Sequence, residues 1–159
     1  LLASPMAGLT LADEQETMMR LLRAGAPITD LNTVRKHLSQ VKGGQLARRV
    51  APAPLITLVL SEVIGDSPEV IPSGPTMPDP TTYAAVLDYY GVRAAVPQTV
   101  RGHLEAGAAG QIAETPKGGE AFFAQAVTRV IGNSRPALDA AAHEARTMGL
   151  SAPAPPARM

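Results

Sequence analysis

The sequence predicts an α/β layered domain whose mostly parallel sheet is incomplete at both ends. Two β-rich apolar runs, residues 54–62 and 126–132, alternate along the chain with stretches of helical periodicity. The first run contains LITLVLS without polar alternation, which is typical of a strand covered on both faces in a parallel sheet. Two strands alone make an incomplete sheet, so we expect its other strands to lie outside this chain.

Apolar residues at intervals of three and four predict helices between and around these strands. Thr10 and Asp13 resemble a capping box before the first helix, and Asp79 resembles the N-cap of the third. The expected ranges are residues 11–24, 29–42, 79–90, 97–106 and 135–148.

The second predicted helix carries an apolar stripe on one side and polar residues on the other. Its stripe runs from Ile28 to Val41, and the glycines at positions 43 and 44 then end the helix. Four side chains fall together on the opposite arc of an ideal helical wheel: Asn32, Arg35, Lys36 and Ser39. We therefore expect a polar and partly cationic face here.

The composition excludes several classes of protein. Basic and acidic residues balance at 14 each, so the chain has no electrostatic footprint for nucleic acid or an anionic membrane. No cysteine is present, which excludes a disulfide framework, a thiolate metal site and a catalytic thiol. The longest apolar run, residues 55–60, is far too short to cross a bilayer. A soluble, cytoplasmic protein is the expectation.

Common catalytic and nucleotide-binding motifs are absent. The sequence lacks GxxxxGK[ST], which excludes a P-loop, and it also lacks GxSxG and GxGxxG. Hydrolase and dehydrogenase functions thereby lose their best evidence. The three histidines share no metal-ligand spacing, and we expect His103 and His143 to lie at the surface.

The loop after the first strand is one candidate site, because open α/β sheets bind ligands beyond the carboxyl ends of their strands. Its acidic residues, Glu62 and Asp66, could hold a hydrated magnesium ion. Groups that could contact a phosphate there are Ser61, Ser73, Gly74 and Thr76, with Asn133 after the second strand. The alternative is that Asp66 only forms a turn and that SGPT only forms a rigid corner.

A second candidate site lies at the end of the second helix. Arg35, Lys36 and Lys42 could supply cations to a phosphate, and the KGG segment at residues 42–44 could bring backbone close to it. The alternative is an ordinary solvated helix face that ends in a glycine C-cap.

Four segments in order carry a family resemblance. They are NTVRKHLSQVKGGQLARRVAPAPLITLVLSEVIGD, VIPSGPTMPDPTTYAAVLDYYGV, ETPK and VIGNSRPALDAAAHEARTMGL. Together they resemble the large domain of glycerate 2-kinases of the MOFRL-associated, or DUF4147, family, over nearly everything from Leu9 to Leu150. The pair RKHLSxxKGG and SGPTxPDPTT is specific, whereas ETPK alone is a weak signal. Residues 1–150 are thus expected to form part of that domain, and residues 151–159 a disordered Pro/Ala-rich tail.

The resemblance implies a Rossmann-like large domain that meets a smaller domain at a cleft. It also implies transfer of a phosphoryl group from ATP to a hydroxyl of D-glycerate, with Mg²⁺, to form 2-phosphoglycerate. The expected partners are therefore a nucleotide and this small-molecule substrate, without nucleic acid or membrane, and a homodimer is left open.

The same resemblance suggests roles for individual residues. Lys42 and Arg35 become the catalytic cations, and Glu62 and Asp66 become the metal ligands. The residues implied to bind phosphate or glycerate are Lys36, His37, Ser39, Gly43, Gly44, Ser61, Ser73, Gly74, Thr76 and Asn133. This sequence departs from the family at Ser61-Glu62, where the family usually has Ser-Asp, and the longer side chain would move the carboxylate by about one bond length.

Three functional hypotheses follow from these patterns. The first is a glycerate kinase fragment that is inactive alone, because the family's glycine-rich upstream segment and its smaller domain are not in this sequence. The second is a non-catalytic remnant that binds the ligands without reaction. The third is a hydroxypyruvate reductase, a label that relatives of this family sometimes carry, although the sequence has no glycine fingerprint for a nicotinamide site.

Overall fold

A computed structural model describes residues 3–61, 74–89 and 96–152. The predicted metal ligands Glu62 and Asp66 lie outside these ranges, as does Ser73. Most of the tail predicted for residues 151–159 also lies outside them.

The described elements follow the predicted order of helices and strands. Thr10 caps the first helix as expected, because its hydroxyl accepts from Asp13 N–H at 3.1 Å and its own N–H donates to the Asp13 carboxylate at 2.8 Å. A six-residue helix after the KGG segment and a 3₁₀ helix before the second strand were not predicted. The helices are α1 Leu11–Arg23, α2 Ile28–Leu38, α3 Gln45–Val50, α4 Tyr83–Asp88, α5 Gln98–Ala108 and α6 Ser134–Thr147, with the 3₁₀ helix Ala121–Gln125 and the strands β1 Leu55–Leu60 and β2 Ala126–Gly132.

The two strands pair in parallel, which confirms the predicted α/β class. Leu55 pairs with Ala126 and Val59 with Val130, after which an irregularity shifts Leu60 onto Gly132. Because parallel strands need a crossover between them, the segment from 61 to 125 returns the chain to the start of the sheet.

The prediction that the first strand is covered on both faces is wrong for the described residues. Ile56, Leu58 and Leu60 point to one side of the sheet and are 72%, 63% and 74% exposed. The opposite face is less exposed, and there the Thr57 hydroxyl donates to the Thr76 hydroxyl at 3.0 Å. Within the described ranges, apolar composition alone therefore did not indicate which face is buried.

The main core lies among the helices. Tyr83 is fully buried there, with its ring packed against Gly107 of α5, where a Cβ atom would lie only 2.3 Å from the ring. The buried apolar side chains of this cluster are Met18, Leu21, Leu31, Val34, Leu38, Tyr83, Val86, Leu87, Val96, Val100 and Leu104. All except Val96, which lies just before α5, come from α1, α2, α4 and α5, so these helices form one packed unit.

Two predicted helix boundaries are wrong for physical reasons. Helix α2 ends at Leu38 rather than at the glycines, because backbone bonds from Met6 N–H to the Leu38 carbonyl (2.8 Å) and from Gln40 N–H to the Ser4 carbonyl (2.7 Å) replace helical ones. Helix α4 begins at Tyr83 with Thr82 as its N-cap, and Asp79 is used elsewhere.

No helix within the described ranges is both long enough and apolar enough to span a membrane.

Replacing Gly107 with alanine should destabilise the helical core. Alanine is the better helix former, but the added methyl group would overlap the Tyr83 ring, and overpacking costs about 1–3 kcal/mol. Gly102→Ala is the matched control, since it lies on the same helix with nothing within 4 Å of its Cβ position. This control should stabilise by up to about 1 kcal/mol. Urea unfolding of both variants tests this packing, and equal effects would contradict it.

Candidate active site

Three distant segments meet at the end of α2. They are the end of that helix with the KGG turn that follows it, the SGPT and DPTT residues from 74 to 82, and the ETPK segment at 114–117. Asp79 lies fully buried between them. The sequence predicted candidate sites at the end of α2 with KGG and at Gly74 and Thr76, and it treated Asp79 only as a helix cap.

Asp79 accepts hydrogen bonds from several donors. Its carboxylate receives the Thr81 hydroxyl at 2.7 Å, the Thr81 N–H at 3.1 Å and the Thr115 hydroxyl at 3.0 Å. Lys36 Nζ lies 3.3 Å away and completes a buried ion pair. Burial would raise the pKa of Asp79, but the Thr81 bonds and the Lys36 charge outweigh it and hold the pKa below its usual range. The carboxylate therefore stays ionised at neutral pH.

The polar face of α2 is not solvated at Lys36. Only 8% of the residue is exposed, because the face of α2 that carries it packs against Asp79 rather than facing water. Arg35, the next residue, is half-buried and donates to the Asn32 side chain at 3.2 Å on the same helix. The predicted cationic face therefore divides into one buried cation and one that is partly accessible.

His37 is buried beside this ion pair. Its Nδ1–H donates to the Thr33 carbonyl at 2.9 Å, which leaves Nε2 directed toward Glu114 Oε2 at 3.7 Å and Asp79 Oδ2 at 3.9 Å. Burial lowers the pKa of His37 below its ordinary value, although the two carboxylates oppose this effect. His37 is therefore neutral at neutral pH.

The KGG turn packs directly on the described part of the SGPT segment, residues 74–76, and on Met77. Gly43 and Gly44 have φ angles of 57° and 79°, in the left-handed region that favours glycine. Gly44 N–H donates to the Gly74 carbonyl at 2.8 Å, and a Cβ on Gly44 would lie 2.9 Å from both the Met77 carbonyl oxygen and Pro116 Cβ. The structure thus brings three predicted residues, Gly43, Gly44 and Gly74, next to the ion pair.

Two other predicted residues, Ser39 and Thr76, make contacts that support the fold. Ser39 is buried, and its hydroxyl accepts from the Val41 and Lys42 N–H groups at 3.3 and 3.4 Å, which shapes the turn before KGG. Lys42 itself is half-buried. Thr76 is buried and bonded to Thr57 of β1.

Ser61 and Asn133 lie together at the carboxyl end of the sheet. Ser61 is buried and its N–H donates to the Gly132 carbonyl at 2.8 Å, while Asn133 is the N-cap of α6 and accepts from Arg135 N–H at 3.1 Å. Both residues follow the carboxyl ends of paired parallel strands, which is where the sequence placed a candidate ligand site.

Sequence reasoning missed the contribution of the ETPK segment. Lys117 Nζ donates to the Thr115 hydroxyl at 2.8 Å and to the Thr81 carbonyl, and it pairs with Glu114 at 3.4 Å. Glu114 also accepts from the Tyr83 N–H at 2.9 Å, at the start of α4. The only available signal was the presence of ETPK in the family pattern, which was too short to assign a role.

The predicted surface position of His103 is also wrong. His103 is buried on α5, and its Nε2–H donates to the His37 carbonyl at 3.0 Å, while burial lowers its pKa. Burial, followed by the charge of Glu114, raises the pKa of the adjacent Tyr83 to about 12, so this phenol stays protonated. His143 is exposed, as expected.

The described residues contain no cluster of three or more His, Cys, Asp or Glu side chains arranged to hold a metal ion. Asp79 already accepts from Thr81, Thr115 and Lys36, so its oxygens have little capacity left for a cation. The predicted magnesium ligands Glu62 and Asp66 lie outside the described ranges, and their role stays a prediction.

Residues 1–105 match the family model described as a domain of unknown function, DUF4147. The chain belongs to the DUF4147 family. It is 38% identical over 151 residues to a glycerate 2-kinase from Pyrococcus horikoshii, and 39% identical over 151 residues to a D-glycerate 2-kinase from Thermotoga maritima. Each alignment covers 93% of this chain and 33% of the relative. A relative from Agrobacterium vitis with a provisional hydroxypyruvate reductase name is 44% identical over 153 residues, which are 94% of this chain and 33% of that protein.

Solved structures show the same fold. The crystal structure of the Thermotoga maritima glycerate kinase superposes with a TM-score of 0.72 at 38% identity, and that of a Pyrococcus horikoshii protein with a TM-score of 0.74 at 39% identity. Each match covers 91% of this chain and 33% of the solved chain. The chain therefore spans about a third of the length of these relatives, and the family resemblance inferred from its motifs is confirmed.

Removing Lys36 should be far more costly than removing a surface cation. Lys36→Met leaves Asp79 buried without its counter-charge, and breaking a buried pair costs about 3–5 kcal/mol. The double variant Lys36→Met/Asp79→Asn should recover part of that loss. Arg135→Met, which breaks the exposed pair with Asp139, should cost less than about 1 kcal/mol. The free energy of unfolding is measured for each variant. Equal losses from Lys36→Met and Arg135→Met would contradict a buried Lys36–Asp79 pair.

The stability of the fold should fall as the pH drops below about 6.5. The unfolded chain binds protons on histidine near that pH, whereas burial lowers the pKa of His37 and His103 in the folded chain. The unfolded state therefore binds more protons in the window between the lowered values and about 6.5, and stability rises with pH there. The free energy of unfolding measured at a series of pH values should show a smaller slope in His37→Gln. His143→Gln, a change at an exposed histidine, should keep the wild-type slope. A free energy of unfolding that does not change with pH in the wild type would contradict the lowered pKa of His37 and His103.

Proposed function

We propose that this chain supplies one wall of the phosphoryl-transfer site of an ATP-dependent D-glycerate 2-kinase. The observation that carries the proposal is the packing of the KGG turn on the SGPT segment beside the buried Lys36–Asp79 pair. Relatives named as glycerate 2-kinases support the choice of reaction, since they are 38–39% identical to nearly the whole of this chain. The chain alone matches only part of those proteins, so we propose that it is inactive by itself.

Phosphoryl transfer depends mainly on positioned charge, which suits the groups at this site. Lys36 is neutralised by Asp79, and Gly44 N–H is occupied by the Gly74 carbonyl, so both serve to fix the turn. Lys42 lies in that turn and Arg35 lies on α2, both half-buried, and we assign phosphate binding and catalysis to them. A rigid turn keeps its cation in place without reorganisation during the reaction.

The magnesium and glycerate contacts form the other half of the proposal. Glu62 and Asp66 are the proposed magnesium ligands, and magnesium would supply neutralisation of the phosphate charge when it is bound. Ser61, at the end of β1, and Asn133, at the start of α6, share the sheet edge where ligands of open α/β sheets bind. The product 2-phosphoglycerate, a cytoplasmic location and a homodimer stay predictions.

A hydroxypyruvate reductase is the second candidate, and the name of the Agrobacterium vitis relative favours it. That reaction needs a nicotinamide site, for which the sequence provides no glycine fingerprint. Oxidation of NADH with hydroxypyruvate separates the two reactions. Calorimetry with MgATP and D-glycerate addresses the third hypothesis, because binding without turnover would favour a non-catalytic remnant.

A chimera provides the direct test of kinase function. The matching third of the Thermotoga maritima D-glycerate 2-kinase is replaced by these 159 residues, and ADP release is measured with ATP and D-glycerate. We expect a glycerate-dependent rate from the chimera and none from the chain alone. A folded chimera without such a rate would contradict the proposed function, and a robust rate from the pure chain would contradict its inactivity.

Lys42→Ala in that chimera should lower kcat/KM by roughly 100-fold, because loss of one positioned charge at a transition state costs about that much. Arg23→Ala is the control, since Arg23 is an exposed cation in the last turn of α1. It should leave ADP release unchanged. An unaltered rate in Lys42→Ala would remove Lys42 from the active site.

A further inference from the structure

Two buried polar atoms beside the ion pair lack hydrogen-bond partners. They are His37 Nε2 and Glu114 Oε2, which lie 3.7 Å apart. Lys117 Nζ is 3.4 Å from the same Glu114 oxygen, which is close enough for an ion pair but lacks hydrogen-bond geometry. An unpaired buried polar group costs about 1–3 kcal/mol, so this arrangement requires an explanation.

The hydrogen bond on the other side of the ring defines what His37 presents to Glu114. Because Nδ1–H donates to the Thr33 carbonyl, a neutral His37 carries a bare lone pair on Nε2. That lone pair faces one carboxylate oxygen of Glu114 and one of Asp79, so the acceptor on His37 is directed at two other acceptors. One proton on Nε2 would turn this repulsion into a charge-assisted attraction.

Glu114 is also fixed in position by its other oxygen. Oε1 accepts from Tyr83 N–H at 2.9 Å, which ties the carboxylate to the first turn of α4. Its neighbour Thr115 donates to Asp79 at 3.0 Å and accepts from Lys117 at 2.8 Å. The ETPK segment thus connects the His37 ring to the carboxylate that holds Lys36.

We propose that Glu114 is a positioning residue for the Lys36–Asp79 pair and acts through the proton state of His37. With His37 neutral, Glu114 pairs with Lys117, and Thr115 is held against Asp79. When His37 takes up a proton, Nε2–H donates toward Glu114 and Asp79 and competes with Lys117 and Thr115 for those oxygens. Gly43 of the KGG turn packs against Lys36 and Asp79, so we expect acid to loosen the turn that carries Lys42. The effect on catalysis rests on the proposed kinase function.

The charges around His37 support this direction of control. Burial has the largest influence on the pKa of His37 and lowers it. The charges of Asp79 and Glu114 raise this pKa, and the charge of Lys117 lowers it. Removing the negative charge of Glu114 should therefore move protonation of His37 to lower pH. The titratable groups that face His37 are Lys36 on its own helix, Asp79 and Tyr83 around the start of α4, His103 on α5, and Glu114 and Lys117 in ETPK.

Nuclear magnetic resonance of labelled histidines tests the coupling without any activity measurement. The chain has three histidines, and the exposed His143 is an internal reference. We expect Glu114→Gln to move the His37 midpoint to lower pH by at least about half a unit, since an opposite charge within a few ångströms favours the protonated form. Glu105→Gln, an exposed change on α5, is the control and should leave the midpoint in place. An unchanged or raised midpoint in Glu114→Gln would overturn the proposal.

The chimera gives a second measurement that a purely structural role would not reproduce. Glu114→Gln keeps an oxygen for Tyr83 N–H, so the acid limb of kcat/KM should move to lower pH together with the His37 midpoint. A loss of activity at every pH, with the limb unmoved, would mean that Glu114 only supports the fold and would contradict the proposal. Failure of the parent chimera to make ADP contradicts the kinase function instead, and the histidine titration still decides the coupling of Glu114 to His37.

Discussion

The buried ion pair between Lys36 and Asp79 is the interaction on which the candidate site depends. Two charges removed from water are stable only when their remaining hydrogen-bond capacity is filled, and here Thr81 and Thr115 fill that of the carboxylate. The donors come from separate parts of the chain, so the desolvation cost is met only when all of them are in place. This requirement fixes the relative positions of α2, the DPTT residues and ETPK, and it thereby fixes the glycine turn between them.

Local patterns predicted most elements of the fold because they depend on neighbours in sequence. The capping box at Thr10 and the β-rich run 126–132 needed no information from elsewhere in the chain, and both lie where expected. The direction of Lys36 could not be predicted in this way. A helical wheel separates apolar from polar residues, whereas α2 packs its second face against polar partners that are distant in sequence. Asp79 was misinterpreted for the same reason, since an Asp-Pro pair is also a common helix start.

The site shows a similar division between local and tertiary information. The motif resemblance named Gly43, Gly44 and Gly74 as binding residues, but it could not distinguish residues that fix the turn from residues that contact a ligand. Gly44 N–H donates to the Gly74 carbonyl, and the Ser39 hydroxyl accepts from Val41 and Lys42 N–H in the turn before KGG. Helix α3 was missed because six residues are too few to show an apolar period. The partly exposed sheet was missed because an unbroken apolar run has no alternation from which to choose a face.

The parallel pairing of β1 with β2 has a consequence for how the molecule forms. Leu55 meets Ala126 only after the long intervening segment has been compacted, so the sheet carries a large loop-closure entropy. The helical cluster around Tyr83 relies on α4 and α5, which lie inside that segment and can pack first. We therefore expect the strands to join late. Until they do, the backbone of β1 is unpaired beside apolar side chains that pairing itself leaves exposed, such as Ile56 and Leu58, and such a strand can pair with another chain.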